Sequence, residues 1–253
     1  MNFLRETGLI FWAQLRTNVR SPVWVIIGLT QPILYLVLFG PLLKGVSGQI
    51  GGGTDPFLIF TPGLIMQLGL FGAMFVGFGI VSELRAGVIE RQRVTPASRG
   101  ALLAGRVCKD MVVLIVQALV LIVVAVVAFG LRPNVIGLLL TLILIAVLAA
   151  GLSSASYALG LWAQSEDTLA SILNSVTIPI LLLSGILLPM TLGPTWLRTI
   201  AKINPIFHTV DAARALFRGD LGSSDVYVGG GVTIALAVVL GIIGARSFAR
   251  ENA

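Results

Sequence analysis

Residues 82–106, SELRAGVIERQRVTPASRGALLAGR, decide how the rest of the chain is read. This island carries Arg85, Arg91, Arg93, Arg99 and Arg106 against only Glu83 and Glu90. It sits between two apolar runs, 57–81 and 107–131. As a helix rising about 1.5 Å per residue, each run is long enough to cross the ~30 Å hydrocarbon core of a bilayer.

The whole chain has the same character. Of its 253 residues 57% are hydrophobic and 11% charged, with a mean hydropathy of +1.00. A soluble domain would carry about 25% charged residues. The apolar runs are continuous rather than alternating, which argues against a barrel. The fold class is therefore an all-α membrane protein, since helices satisfy their own backbone polar groups in lipid. The net charge of +6 reads as a basic cytoplasmic membrane face rather than a nucleic-acid surface. Cys108 is the single cysteine, so no internal disulfide forms, and it is expected to be a buried thiol. Arg5, Glu6, Arg16 and Arg20 interrupt the N-terminal stretch, which does not read as a cleavable signal peptide.

Working outward, residues 3–20 read as an amphipathic helix lying in the membrane interface. Leu4, Gly8, Phe11, Trp12, Leu15 and Val19 fall on one face at helical spacing, with Arg5, Arg16 and Arg20 on the flank. Six spans follow, at 23–43, 57–81, from 107, 135–161, 169–188 and 230–245. Pro32 is expected to kink the first. Residues 44–55 read as a Gly-rich external loop, and Asp110 is expected to pair with Arg106 one turn before it. Gln67, Phe71, Met74, Phe75 and Phe78 share a face of the second span, and Gly229–Gly231 open the sixth.

Residues 189–225 are too polar to span and too apolar for an ordinary loop. They read as a re-entrant hairpin on the external side, built from short helices at 195–202 and 205–218. His208, the only histidine, is expected to be a hydrogen-bonded residue of this hairpin, and Asp211 to pair with Arg214 at i, i+3. Six spans put both termini on one side. Eleven basic residues fall on the inner face and six outside if the N-terminus is inside, which favours N-in, C-in.

No GxxxxGK[ST] loop, no metal-ligand spacing and no ionisable group in the middles of the spans is present in the sequence. Energy for uphill movement would then come from another subunit. The island is the natural receiver, as a helix continuing from the second span with Glu83, Gly87 and Glu90 on one face and a break at Thr95-Pro96. The plainer reading is a basic loop that only fixes topology.

The pattern Glu83-x-x-x-Gly87-x-x-Glu90-x-x-x-x-Thr95-Pro96 resembles the coupling segment of type-2 ABC exporter permeases. The later run Leu183-Ser184-Gly185, Pro189, Trp196-Leu197, Asn204-Pro205, Asp211-Ala212-Ala213-Arg214 and Gly219 is similar to the C-terminal motif of the same family. Bacterial daunorubicin-resistance-type drug permeases resemble the chain over nearly its whole length. The resemblance implies one transmembrane domain over 1–253, paired with a second permease copy or paralogue and with two ATPase subunits that hold ATP and Mg. It implies coupling through Glu83, Arg85, Gly87, Glu90, Arg91, Thr95 and Pro96. It also implies a substrate path along the second and fifth spans, at Gln67, Phe71, Phe75 and Phe78 and at Asn174, Thr177, Leu181 and Ser184. The hairpin residues Trp196, Asn204, Pro205, His208, Asp211 and Arg214 would form an extracellular lid. The expected cargo is a hydrophobic drug or lipid-like compound, with a polysaccharide or glycolipid as the alternative. A different class, an integral membrane enzyme or scaffold, would need convergent ionisable groups, and only His208, Asp211 and Arg214 approach that.

Overall fold

The computed structural model describes residues 3–20, 23–45, 55–88, 98–187, 189–190 and 193–250. The described residues form helices α1 (Phe3–Arg20), α2 (Val23–Gly45), α3 (Pro56–Met74), α4 (Gly77–Arg85), α5 (Arg99–Phe129), α6 (Val135–Ala163), α7 (Glu166–Leu183), α8 (Thr195–Ala201), α9 (Pro205–Arg218) and α10 (Ser224–Arg250). Among the described residues six segments are long and apolar enough to cross a membrane: α2, α3 with α4, α5, α6, α7 and α10.

Local chemistry sets the ends of these helices. Asp55 accepts from the Phe57 N–H at the start of α3, Asn134 from Gly137 at α6, and Asn204 from Ile206 at α9. Pro56 and Pro205 stand in the first turn, where their missing N–H costs nothing. Gly130 and Gly219 take left-handed φ of 71° and 88° just past α5 and α9.

The bundle is organised around α3 and α6. Every residue of α3 from Phe60 to Leu70 is buried. α6 packs on α10, α5, α3, α4 and α9. Small residues let these helices close up where no side chain would fit. A Cβ on Gly137 of α6 would lie 1.8 Å from the Leu216 carbonyl oxygen of α9. One on Gly151 would lie 2.6 Å from Ala237 Cα, and one on Gly244 of α10 2.7 Å from the Ser154 oxygen. α1 lies along the start of α5, with a Cβ on Gly105 reaching Ile10 at 2.7 Å. Leu4, Trp12 and Val19 of α1 point outward, 82%, 68% and 72% exposed, away from that contact.

Several expectations are corrected. The second span is not one helix: α3 ends at Met74 and α4 restarts at Gly77. The cause is Ser156 of α6, whose hydroxyl donates to the Met74 carbonyl and accepts from the Gly77 N–H at 2.9 Å. A side chain inserted in this way breaks the ladder. The helix leading into the island stops at Arg85, with Gly87 at a left-handed φ of 67°, instead of running on to Thr95-Pro96. Glu83 and Gly87 therefore do not share one helical face. α5 begins at Arg99, inside the island, eight residues before the expected span. α7 is shifted earlier, to Glu166–Leu183, because Gly185 turns the chain at φ 71°. α10 starts at Ser224, so Gly229–Gly231 lie within it; a Cβ on Gly229 would meet the His208 oxygen at 2.2 Å. Cys108 is exposed rather than buried. Most of the expected 44–55 loop lies outside the described residues.

Candidate functional site

Three groups of residues converge on the elements named by the sequence. At the end of the bundle where α1, α4 and the start of α5 meet, charged side chains pair in series. Arg106 of α5 reaches Glu83 of α4 at 2.5 Å, with side chains 4% and 26% exposed. Asp110 is taken by Lys109 and by the Tyr157 hydroxyl of α6, which donates at 2.6 Å. Arg106 and Asp110 thus attract one another within α5, as expected, while each also reaches another helix, Arg106 to Glu83 of α4 and Asp110 to Tyr157 of α6. Arg85 and Glu166 form an exposed pair at 3.3 Å, linking α4 to α7. Arg99 donates to the Ala249 carbonyl at 2.9 Å. Glu6 of α1 accepts from the Ser98 backbone N–H at 2.8 Å. That bond, with Ser98's hydroxyl, holds the Glu6 carboxyl below the ordinary carboxylate range. Beneath these charges Ile80, Leu103, Val107, Tyr157, Leu161 and Phe248 form an apolar cluster. Of the expected coupling residues, Glu83, Arg85 and Gly87 stand at this end; Glu90, Arg91, Thr95 and Pro96 lie outside the described residues.

The second group lies along α3 and α7, which pack on one another. Phe71, Phe75 and Phe78 form a ladder with ring centroids 5.9 and 5.8 Å apart and planes within 11°. Stacking continues across the Ser156 joint because the break keeps all three rings on one side. All three are half-buried. Gln67 is 1% exposed, and among the described residues neither amide atom has a hydrogen-bond partner. Thr177 of α7 is also 1% exposed with an unpartnered hydroxyl. Asn174, one turn away, is exposed and Leu181 half-buried. Ser184 closes the end of α7, its hydroxyl donating to Leu181 O at 2.6 Å and accepting from Ile186 N.

Sequence reading placed nothing of the path on α2, yet Gln31 donates to the Tyr35 hydroxyl at 3.2 Å beside an open cavity of about 420 Å³. Ile27, Thr30 and Leu34 complete its lining. It also missed Ser156 and Tyr157. The polar cluster Ser153-Ser154-Ala155-Ser156-Tyr157 inside an apolar span was the available signal.

The third group is the α8–α9 hairpin. Trp196 on α8 is 64% exposed, whereas α9 is buried along most of its length. Asn204 donates from its side chain to Ile180 O at 2.8 Å while capping α9. His208 Nε2 lies 2.9 Å from Lys202 O, as expected of a hydrogen-bonded hairpin histidine. Arg214 pairs with Asp211 at 3.5 Å, also as expected. Its stronger contacts are elsewhere, with Ile59 O at 3.1 Å, Gly185 O at 2.6 Å and Ile186 O at 3.3 Å. Burial lowers its pKa to about 10, so it stays charged at neutral pH.

Among the described residues, six segments long and apolar enough to cross a membrane and a jointed aromatic face define the chain as a multi-pass membrane protein. The chain belongs to the ABC-2 type transporter family, whose profile matches residues 5–217. It is 27% identical over 248 residues to "Daunorubicin resistance ABC transporter permease protein DrrB1" of Streptomyces coeruleorubidus, covering 96% of this chain and 85% of that protein. It is 25% identical over 200 residues to "Putative transport permease ycf38" of Cyanophora paradoxa, covering 78% and 69%. A protein of the same description from Pyropia yezoensis matches at 25% over 201 residues.

Proposed function

We propose that the chain is the permease subunit of an ATP-driven exporter for hydrophobic drugs or lipid-like compounds. It works as one transmembrane unit beside a second permease copy or paralogue. Two separate ATPase chains hold ATP and Mg, since this sequence has no phosphate-cradling loop. The termini and residues 82–106 face the cytoplasm, α1 lies in the inner interface, and the α8–α9 hairpin re-enters from outside as a lid. Outward-facing Leu4, Trp12 and Val19 on α1 favour the interfacial placement.

The observation that carries this reading is the direct line from island to path. Glu83 at the foot of α4 is tied to Arg106, and α4, which carries Phe78 of the phenylalanine ladder, is joined at Phe75–Val76 to α3, which carries Phe71. A push at residues 82–106 would turn α4 about that joint and move the ladder without unfolding α3. Flat apolar cargo would lie along Phe71, Phe75 and Phe78. Gln67 and Thr177 would offer uncharged hydrogen bonds, and no charge on the path selects an ion. A relative named for daunorubicin resistance fits such a cargo.

The test is pull-down from membranes, then reconstitution of the chain with the co-purifying ATP-binding protein in vesicles loaded with a fluorescent hydrophobic drug. Export that needs both chains and ATP is expected, and Glu90→Ala should leave drug binding intact while uncoupling hydrolysis from export. Uphill export by the chain alone would overturn the reading.

A further inference from the structure

Arg214 is 3% exposed, and its guanidinium is spent on backbone from two other elements. Nε donates to Ile59 O in the first turn of α3, at 3.1 Å. Nη2 donates to Gly185 O at 2.6 Å and Ile186 O at 3.3 Å, both just past the end of α7. Those two carbonyls lie beyond the helix ladder and need outside donors. Gly185 turns the chain at φ 71°, a conformation that suits glycine. The fit also depends on Gly63 of α3, where a Cβ would sit 2.3 Å from Ile186 O and 3.6 Å from Arg214 Nη2. Asp211, at 3.5 Å, is the weaker contact of the set.

α7 buries only Leu169, Leu173 and Thr177 and is otherwise tied by Glu166 to Arg85 and by its Ile180 carbonyl to Asn204, whereas α9 buries ten of its residues and packs on α10, α3 and α6. The firm element therefore positions the loose one. We infer that Arg214 is a positioning residue for transport, tying the hairpin-side ends of α3 and α7 together so that the path between them is closed at that end. This rests on the reading of α3 and α7 as the path. A planar guanidinium fork holds separated donors toward both elements in a fixed geometry, whereas a lysine ammonium gathers its three donors at one point on a flexible stem. Opening of that end requires the guanidinium to leave Gly185 and Ile186 while keeping its place on α9.

The experiment is pulsed EPR on the full chain in lipid nanodiscs, in a Cys108→Ser background, with spin labels at Leu58→Cys on α3 and Leu182→Cys on α7. The parent is expected to give one narrow distance. Arg214→Gln and Arg214→Lys should lengthen and broaden it by on the order of a helical turn, about 5 Å, whereas Asp211→Asn should leave it. Gly63→Ala, whose Cβ would press on the Ile186 carbonyl at 2.3 Å and meet Arg214 Nη2 only at ordinary contact distance, 3.6 Å, should give the same lengthening and decides the matter if an Arg214 variant fails to fold. Parent distances in the folded Arg214 and Gly63 variants would overturn the inference. Export with the partner ATPase is measured in the same variants. Lost export at the parent distance sinks the tie but not the path, whereas a lengthened distance with unchanged export keeps the tie and sinks the path.

Discussion

At the hairpin end one buried guanidinium donates to three backbone carbonyls, whereas at the termini end buried charges meet other charged side chains. Carbonyl acceptors are fixed by the course of the chain, so the hairpin closure demands one shape of donor in one place. Side-chain pairs depend on charge and reach, so other charges can compete for them. Under the proposed function, the second arrangement suits an end whose contacts rearrange in each cycle. The first suits an end that must reclose to the same geometry. The largest expected effect tests this difference. Arg214→Met keeps apolar bulk but strips the donors from Ile59, Gly185 and Ile186, and should cost about 3–5 kcal/mol in thermal unfolding of the micellar protein. Swapping the pair, Arg214→Asp with Asp211→Arg, should recover none of that loss, because a carboxylate cannot donate to carbonyls. Recovery to the parent melting temperature would erase the distinction between the ends.

The same exchange at the other end should behave differently. Glu83→Gln leaves Arg106 buried beside a neutral amide, at a cost of about 2–3 kcal/mol, reduced from a fully buried pair because Glu83 is 26% exposed. Glu83→Arg with Arg106→Glu should recover at least half. The check is a double-mutant cycle on melting temperatures, where a coupling near zero would show that Glu83 and Arg106 are neighbours without being partners.

A smaller effect is expected at the joint between the two ends. Ser156→Ala removes the hydroxyl that bridges Met74 and Gly77, leaving a buried N–H without its acceptor, for about 1–2 kcal/mol. If the joint transmits a push from the termini end, export should fall further than stability does. A variant that exports normally while melting earlier would make Ser156 a packing residue only.

What could be read from the sequence follows the same division. Spans and short helices were legible because apolar length and capping residues such as Asn204-Pro205 are local signals; α1, α8 and α9 fall within about a residue of their expected bounds. The Asp211–Arg214 pair was legible from i, i+3 spacing. The carbonyls that Arg214 uses were not, since Ile59 and Gly185 are far from it in sequence and backbone oxygens carry no residue label. The break at Phe75–Val76 was hidden for a related reason. Nothing near Met74 requires it; it is imposed by Ser156 across the bundle. The attraction between Arg106 and Asp110 is legible from their spacing on one helix, whereas the contact of Arg106 with Glu83 is not, because Glu83 arrives from α4.

The smallest effect concerns a place where the termini end also uses backbone, as it does where Arg99 donates to the Ala249 carbonyl. Glu6 accepts the Ser98 N–H, the reverse of Arg214, with a charged side chain receiving from the chain instead of giving to it. The bond favours the ionised carboxyl, so Glu6 titrates below its unfolded value of about 4.3. Its stabilising contribution is then complete above that value, through neutral pH, and disappears as acid takes the pH down through the lower folded value. Glu6→Gln keeps an acceptor oxygen but cannot titrate, so attachment of α1 to α5 should lose its acid sensitivity in that variant. Amide exchange at Ser98, followed from neutral to acid pH and corrected for intrinsic rates, reads this directly. Protection that fades with the same midpoint in parent and Glu6→Gln would assign the acid response to another carboxylate. Protection that fades only in the parent would assign the acid response to Glu6, the weakest of the contacts that distinguish the two ends.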